Sequence, residues 1–227
     1  MRMGDSARRR LRGATRRAGN RAAAARMVLK AAHDGIDLDI SIDPSARVST
    51  GVVLTGTGVG KAKVTIGPGC IVESNVVFRL SPGAVIEIGP EVNLRSGTAL
   101  NVGGHLELHG ENNISWNCIF HCADHVVLGR RSGLSEGVSI IDSTHYRSDE
   151  SAGDGHGYHN FYARPVLIGR EVWLAAQVIV THGVTIGDKV TVASGSIVSR
   201  SMPAGALVNG RPAKVLRKEW SGRPSDA

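Results

Sequence analysis

The chain has 227 residues, of which 41% are hydrophobic and only 4% aromatic, and it contains 29 glycines. This is the size of one globular domain, or of one domain with an appendage. No apolar run reaches about 18 residues, which excludes a membrane-spanning helix, and no secretory signal is recognised. The three cysteines do not indicate a disulfide framework and fit a reducing cytoplasm.

Most of the positive charge lies in residues 1–30. This segment has ten Arg and Lys and the single acid Asp5, a charge of +9, against +7 for the whole chain. Ala and Arg favour helix, so residues 1–34 are predicted to be a basic arm, helical over about 18–32. The arm could contact an anionic membrane, remain solvated, or pack on the first coil. Nucleic-acid binding is not expected, because the basic residues do not spread over a groove.

A six-residue period dominates residues 168–202. An aliphatic residue opens each of six consecutive hexapeptides: Ile168, Leu174, Val180, Ile186, Val192 and Val198. This period fits neither a helix nor an alternating strand and is typical of a parallel β-helix, in which three hexapeptides form one coil. Similar hexapeptides begin at residues 66, 88 and 128, so the β-helix is predicted over 35–205. An antiparallel sandwich would instead need turns every ~8–12 residues.

Two further segments depart from the period. Residues 146–165 are polar and rich in glycine, and a loop of this length in a compact fold is usually functional or mobile. Pro203 ends the repeat, and residues 206–227 are predicted to be a tail. Within it, the apolar residues Val215, Leu216 and Trp220 predict a short amphipathic helix over 213–220.

Four segments connect the chain with a known family. They are Asp-Ser-Thr-His at 142–145, the polar loop that follows, Pro-Val-Leu-Ile-Gly-Arg-Glu-Val-Trp at 165–173, and residues 193–214, which end in Gly-Arg-Pro-Ala-Lys. Over about residues 125–217 the chain resembles the hexapeptide-repeat acetyltransferases of the sugar O-acetyltransferase type. The resemblance implies an all-β fold, a left-handed parallel β-helix. The expected architecture is therefore this β-helix, preceded by the basic helical arm and followed by the short C-terminal helix.

The resemblance also implies a function. We expect a cytoplasmic homotrimer, with membrane association through residues 1–30 as an option. It would transfer an acetyl group from acetyl-CoA to a sugar hydroxyl of a glycan, polysaccharide precursor or nucleotide sugar. His145 is the expected general base, since a neutral imidazole accepts protons near neutral pH. Asp142 could orient the acceptor or the imidazole, or be a turn residue.

The expected cofactor site follows one edge of the β-helix. Stacked backbone groups would hold the pantetheine arm, and guanidinium or ammonium groups would meet the phosphates. The residues implied are Ala175, Ala176, Ser194, Arg200, Arg211 and Lys214. The family often has glycine where Ala175 stands, so the contact there is an open question. Trp173 is expected beside the acceptor, and no metal is expected.

The sequence also has features in common with proteins of other functions. A γ-type carbonic anhydrase shares the fold, but its metal site needs a pair of histidines five residues apart, and the sequence has none. A β-helix without activity, used as a scaffold, would lack the base that His145 provides. A zinc site formed by Cys118, His121, Cys122 and His125 is disfavoured, because alternate residues of a strand point to opposite faces. Transfer of another acyl group, or to an amine, stays open.

Overall fold

The computed structural model describes residues 5–145 and 161–220, with side chains from residue 16 onwards. The helix α1 (Asp5–His33) is followed by 25 strands. The strands are β1 (Ile36–Ile42), β2 (Arg47–Val48), β3 (Val53–Gly56), β4 (Gly60–Ile66), β5 (Ile71–Val72), β6 (Val77–Leu80), β7 (Val85–Ile88), β8 (Asn93–Leu94), β9 (Ala99–Val102), β10 (His105–Leu108), β11 (Asn113–Ile114), β12 (Ile119–Cys122), β13 (His125–Leu128), β14 (Gly133–Leu134), β15 (Ser139–Ile141), β16 (Ser143–His145), β17 (Phe161–Ala163), β18 (Val166–Ile168), β19 (Trp173–Leu174), β20 (Ile179–Val180), β21 (Thr185–Ile186), β22 (Thr191–Val192), β23 (Ile197–Val198), β24 (Leu207–Gly210) and β25 (Ala213–Arg217).

Three parallel sheets form the walls of a β-helix. The first sheet has the order β1-β4-β7-β10-β13-β18-β21, the second β2-β5-β8-β11-β14-β19-β22-β24-β25, and the third β3-β6-β9-β12-β15-β20-β23. Each coil therefore contributes one strand to each wall, and within the described residues seven coils are complete. Parallel strands of this kind bury one side chain in two, as the period of six predicts. The predicted parallel β-helix is confirmed.

The interior is filled by columns of aliphatic and aromatic side chains. In the third sheet Leu100, Phe120 and Ile140 are register partners on successive coils, and all three are fully buried. Register pairing places apolar side chains of successive coils one above the other, so that they pack against each other in the narrow interior. The core is thus one continuous stack that runs the length of the β-helix.

The length of a coil varies along the chain. In the first sheet Ile36 pairs with Gly60, Val85 with His105, and Leu167 with Thr185. The number of residues that separates two register partners therefore decreases from the first pair to the last. Only the last of these coils consists of three plain hexapeptides. The longer coils keep the same interior columns and carry their extra residues in longer strands and corners. Clean hexapeptides are therefore apparent in the sequence mainly where the coil is shortest.

The helix α1 covers the open end of the first coil. Ala23, Met27 and Ala31 form its buried stripe, and Asn20 donates to the carbonyls of Asp43 and Ala46 at 3.3 and 2.9 Å. These hydrogen bonds give partners to backbone carbonyls at the open end of the β-helix, where no further strand is available to pair with them. The basic arm is thus a helix that packs on the body, and it is longer than predicted. None of the described helices is long and apolar enough to span a membrane.

The predicted C-terminal helix is wrong. Residues 213–217 form β25, which pairs antiparallel with β24, so that Val208 lies opposite Val215. The physical reason is the free edge of β24, whose backbone groups need partners that a helix would not supply. A short segment with three apolar side chains cannot distinguish the two structures by its period alone.

Candidate active site

His145 projects from the β-helix on a short hairpin. The chain leaves the coil after β15, and β16 pairs antiparallel with β17, which places His145 opposite Phe161. Both side chains are exposed, and their ring centroids lie 6.4 Å apart in an edge-to-face arrangement. The predicted loop over 146–165 is therefore partly strand, since residues 161–163 belong to β17. Residues 146–160 lie outside the described residues.

A cleft of about 820 Å³ opens beside His145 on the outer face of the third sheet. Arg79, Asn101, His121 and Ile141 form its floor and are register partners on four successive coils. Neighbouring strands lie ~4.8 Å apart, so Arg79 lies roughly 14 Å from Ile141 along this column. The cleft therefore joins His145 at one end to a guanidinium group towards the other.

Asp142 is fully buried just before this hairpin. Its Oδ1 accepts from the amide of Ala123 and its Oδ2 from the amide of Asp124, both at 2.8 Å. Both carboxylate oxygens are thus engaged with the corner of the preceding coil. This geometry favours the turn-residue alternative, and a catalytic role for Asp142 stays a prediction.

Four of the expected cofactor residues meet at one corner, between the second and third sheets. The Gly195 amide donates to the Ala176 carbonyl at 2.8 Å, which stacks residues 175–176 on 193–195. The Arg211 Nε donates to the Gly195 carbonyl. Because the Ala175 amide already donates to Val192, a ligand here would meet the Ala176 amide, Ser194 and Arg211. Ser194 and Arg211 are exposed.

Arg200 and Lys214 are exposed, and they take different positions relative to this corner. Arg200 comes shortly after β23 and is at the opposite edge of the third sheet from Ser194. Lys214 lies on β25, opposite Asn209. The structure therefore divides the six expected cofactor residues, and Arg200 in particular does not join the corner that Ala175, Ala176 and Ser194 form.

Trp173 lies on the outer face of the second sheet. It pairs with Gly133 and Thr191 on the neighbouring coils, and a Cβ on Gly133 would come within 2.7 Å of the indole. The ring is 44% exposed. The described lining of the cleft beside His145 does not include Trp173, so its predicted contact with an acceptor would require another surface.

Sequence reasoning missed the cleft residues Arg79, Asn101 and His121. The signal that could have found them is register, since each is the third residue of its strand in the third sheet. It also missed His182, whose ring meets Tyr162 edge-on at 5.1 Å. The His182 Nδ1 is buried without a hydrogen-bond partner among the described residues.

The disfavoured zinc tetrad is not assembled. Cys118 and Cys122 are fully buried inside the β-helix, whereas His121 lines the cleft and His125 lies on the first sheet. Burial raises the pKa of Cys118 to about 11 and that of Cys122 to about 12. Each thiol donates to a carbonyl, that of Ser135 at 3.1 Å and that of His105 at 3.3 Å.

We expect all three thiols to be unreactive in the folded protein. Burial raises the pKa of Cys70 as well, and only the thiolate is nucleophilic. At pH 8 a disulfide reagent should therefore label none of them within minutes, and all three after denaturation. A Ser74→Cys variant, with an exposed thiol, is the control and should react at once. Rapid labelling of native Cys118 or Cys122 would contradict the assignment.

Comparison with known proteins supports both the repeat and the fold. The bacterial transferase hexapeptide family, of six repeats, matches residues 165–200. A protein of Escherichia coli K12 named as a colanic acid biosynthesis acetyltransferase is 38% identical over 80 residues, which cover 35% of this chain and 44% of that protein. Galactoside O-acetyltransferase of the same organism is 35% identical over 71 residues, 28% of this chain and 35% of the relative. The match thus spans less than half the length of each relative.

A solved structure extends the likeness to most of the chain. The structure of a polysialic acid O-acetyltransferase superposes with a TM-score of 0.60 and 20% identity, over 83% of this chain and 92% of the other. At this identity the likeness concerns the fold, and it confirms the left-handed β-helix that the resemblance implied. The predicted resemblance is thus confirmed at the level of repeat and fold: residues 165–200 match the bacterial transferase hexapeptide family, and they form part of a β-helix with the fold of that solved structure.

Proposed function

We propose that the protein transfers an acetyl group from acetyl-CoA to a sugar hydroxyl of a glycan, polysaccharide precursor or nucleotide sugar. The observation that carries this proposal is the exposed His145 at the head of an open cleft. Sugar hydroxyls need a base and polar partners, and the cleft offers Asn101, His121 and Arg79 for hydrogen bonds. One relative is named as a galactoside O-acetyltransferase and another as an acetyltransferase of colanic acid biosynthesis, which agrees with this chemistry.

The reaction would proceed by direct attack. His145 accepts the proton of the sugar hydroxyl as the oxygen attacks the thioester carbonyl carbon. The tetrahedral intermediate then collapses, the carbon–sulfur bond breaks, and the imidazolium returns the proton to the departing thiolate. The products are an acetyl ester and coenzyme A. The buried, protonated thiols of Cys118 and Cys122 are unsuited to form an acyl-enzyme.

The site is best completed by two copies of the chain. His145 lies at the edge where the third sheet leads to the first, whereas Ala176 and Ser194 lie at its other edge. The segment from Ala176 to Thr181 crosses this wall, a distance of roughly 16 Å. In the homotrimer that we propose, one subunit supplies His145 and its neighbour supplies the corner for coenzyme A. Arg211, with Lys214, would meet the phosphates.

The cleft also suggests the class of acceptor. Arg79 is exposed and takes part in none of the ion pairs formed among residues 5–145 and 161–220. A guanidinium suits a carboxylate or phosphate. Its position roughly 14 Å along the column from Ile141 would fit an anionic group a few sugar units from the hydroxyl that is acetylated.

Replacing Arg79 with Gln is therefore expected to raise KM for an anionic acceptor about tenfold. A lost charge-assisted hydrogen bond is worth ~1.5–3 kcal/mol, and the exposure of Arg79 favours the lower end. The value of kcat should change little, because Arg79 is remote from the reacting atoms. Steady-state kinetics with anionic and neutral acceptors of equal length would measure both. Arg47→Gln, an exposed arginine on the second sheet, is the matched control. Equal KM values for wild type and Arg79→Gln would contradict this placement.

The activity itself is tested by release of free thiol from acetyl-CoA. The full chain is incubated with acetyl-CoA and a panel of sugars, nucleotide sugars and oligosaccharides, and acceptor-dependent release is followed together with the mass of the product. A mass increase of one acetyl group on an acceptor supports the proposal. No release with any acceptor, combined with no acetyl-CoA binding by calorimetry, would favour the scaffold alternative. Parallel assays with succinyl-CoA and with amino sugars test the choice of acyl group and of acceptor atom.

We place this activity in the cytoplasm, where acetyl-CoA and nucleotide sugars are available. The exposed arginines of α1, Arg17, Arg21 and Arg26, remain free to meet anionic lipid while the buried stripe holds the helix on the first coil. Peripheral membrane contact would suit an acceptor carried on a lipid.

A further inference from the structure

Two histidines and a glutamate converge on the outer face of the first sheet. His105 on β10 and His125 on β13 are register partners, and their rings stack with centroids 5.2 Å apart and planes 10° from parallel. Glu107 lies two positions after His105 on the same strand and so points to the same face. One ligand atom of each of the three lies within 4.8 Å of those of the other two.

The distances suit a single divalent ion. The Glu107 Oε1 lies 2.7 Å from the His125 Nε2 and 3.8 Å from the His105 Nδ1. Tetrahedral zinc, with bonds of ~2.0–2.2 Å, holds its ligand atoms about 3.3 Å apart. The two observed distances lie on either side of that value. The two imidazole rings are stacked and nearly parallel, so a rotation of these side chains would be needed to direct their lone pairs to one ion, while the paired strands keep the backbone positions fixed.

Two neighbouring side chains orient these ligands. Glu87 on β7 lies 3.3 Å from the His105 Nε2, and a hydrogen bond there would leave the Nδ1 lone pair directed to the site. His109 lies 2.9 Å from the Glu107 Oε2 and so holds the second carboxylate oxygen. A carboxylate behind a liganding histidine is the usual support of a metal site.

The three ligands are reachable from solvent. The side chains of Glu107, His125 and His105 are 24%, 34% and 39% exposed. An ion here could complete its coordination with water, and it would lie on a different wall from the cleft beside His145. The set also differs from the three histidines that a γ-type carbonic anhydrase requires.

We propose that His105, Glu107 and His125 form a binding site for a divalent transition-metal ion of the zinc type. Imidazole and carboxylate ligands suit Zn²⁺, Co²⁺ and Ni²⁺ better than Mg²⁺ or Ca²⁺, which prefer sets made only of oxygen. This site is independent of the proposed acetyl transfer, and it departs from the expectation, drawn from the sequence, that no metal is bound.

The test uses the full chain after treatment with a chelator. Zn²⁺ binding is measured by calorimetry, and Co²⁺ is titrated while its visible absorption reports the ligand geometry. The variants are Glu107→Gln and the double substitution His105→Ala with His125→Ala. The control is His33→Ala, an exposed histidine at the end of α1. Thermal unfolding of each protein, with and without Zn²⁺, shows that the variants fold and whether the ion stabilises them.

We expect one ion to bind per chain and to raise Tm in the wild type and the control. Affinity should fall at least tenfold in Glu107→Gln, and the double variant should lose both binding and the rise in Tm. Zn²⁺ binding of equal affinity in the wild type and the folded double variant would overturn the proposal. So would the absence of binding to the wild type.

Discussion

Replacing His145 with Ala is expected to lower kcat for acetyl transfer by about 10²–10⁴-fold. The imidazole is the group that would accept the hydroxyl proton at the head of the cleft, and Phe161, opposite it on β17, cannot replace it. The thiol-release assay with a saturating acceptor measures this effect.

The His145 side chain is exposed at the end of β16, so its loss should leave Tm and acetyl-CoA affinity close to those of the wild type. His145→Gln keeps a polar side chain without a base and should be nearly as inactive as the alanine variant. His33→Ala should keep full activity. Acceptor-dependent release that survives in both His145 variants would retain the transferase but remove His145 as its base.

Replacing Asp142 with Ala is expected to lower the free energy of unfolding by about 3 kcal/mol or more. The substitution removes two hydrogen bonds to a charged group, each worth ~1.5–3 kcal/mol, and leaves the amides of Ala123 and Asp124 without these acceptors. For a chain of this size such a loss lowers Tm by roughly 6–12 °C. Thermal unfolding followed by circular dichroism measures it.

The matched control is Asp124→Ala, which removes an exposed acid from the same corner and should leave Tm within about 2 °C of the wild type. If Asp142 is structural, the Asp142→Ala variant assayed well below its Tm should keep kcat within about tenfold. A variant with native Tm whose kcat has fallen more than a hundredfold would instead restore the orienting role considered from the sequence.

Asp142 and His145 are close in the sequence but differ in what they contact. Asp142 faces the corner of the coil below, whereas His145 has left the coil on the hairpin of β16 and β17. The stability effect should therefore belong to Asp142 and the rate effect to His145. This division follows from the direction in which each side chain leaves the backbone.

The amino-acid sequence by itself determined the architecture. The six-residue period from Ile168 to Val198 predicted the β-helix, because side chains that recur on every wall must fill one interior. The alternation of inward and outward side chains likewise disfavoured a zinc site that would join Cys118 and Cys122 to His121. The segment 165–200 carried the family resemblance most clearly, since its coils are plain hexapeptides without the extra corner residues of the earlier ones.

Only the tertiary structure decided which outward-facing residues meet. His105 and His125 come from successive coils and share a site, and Arg79, Asn101 and His121 come from three successive coils and share a cleft. The number of residues in each coil decides which outward-facing residues become neighbours on successive coils. The hydrophobic period identifies the inward-facing residues, but it does not give the number of residues in each coil. The C-terminal segment shows the same limit: 213–217 became a strand because β24 offered an unpaired edge, which no local pattern reveals.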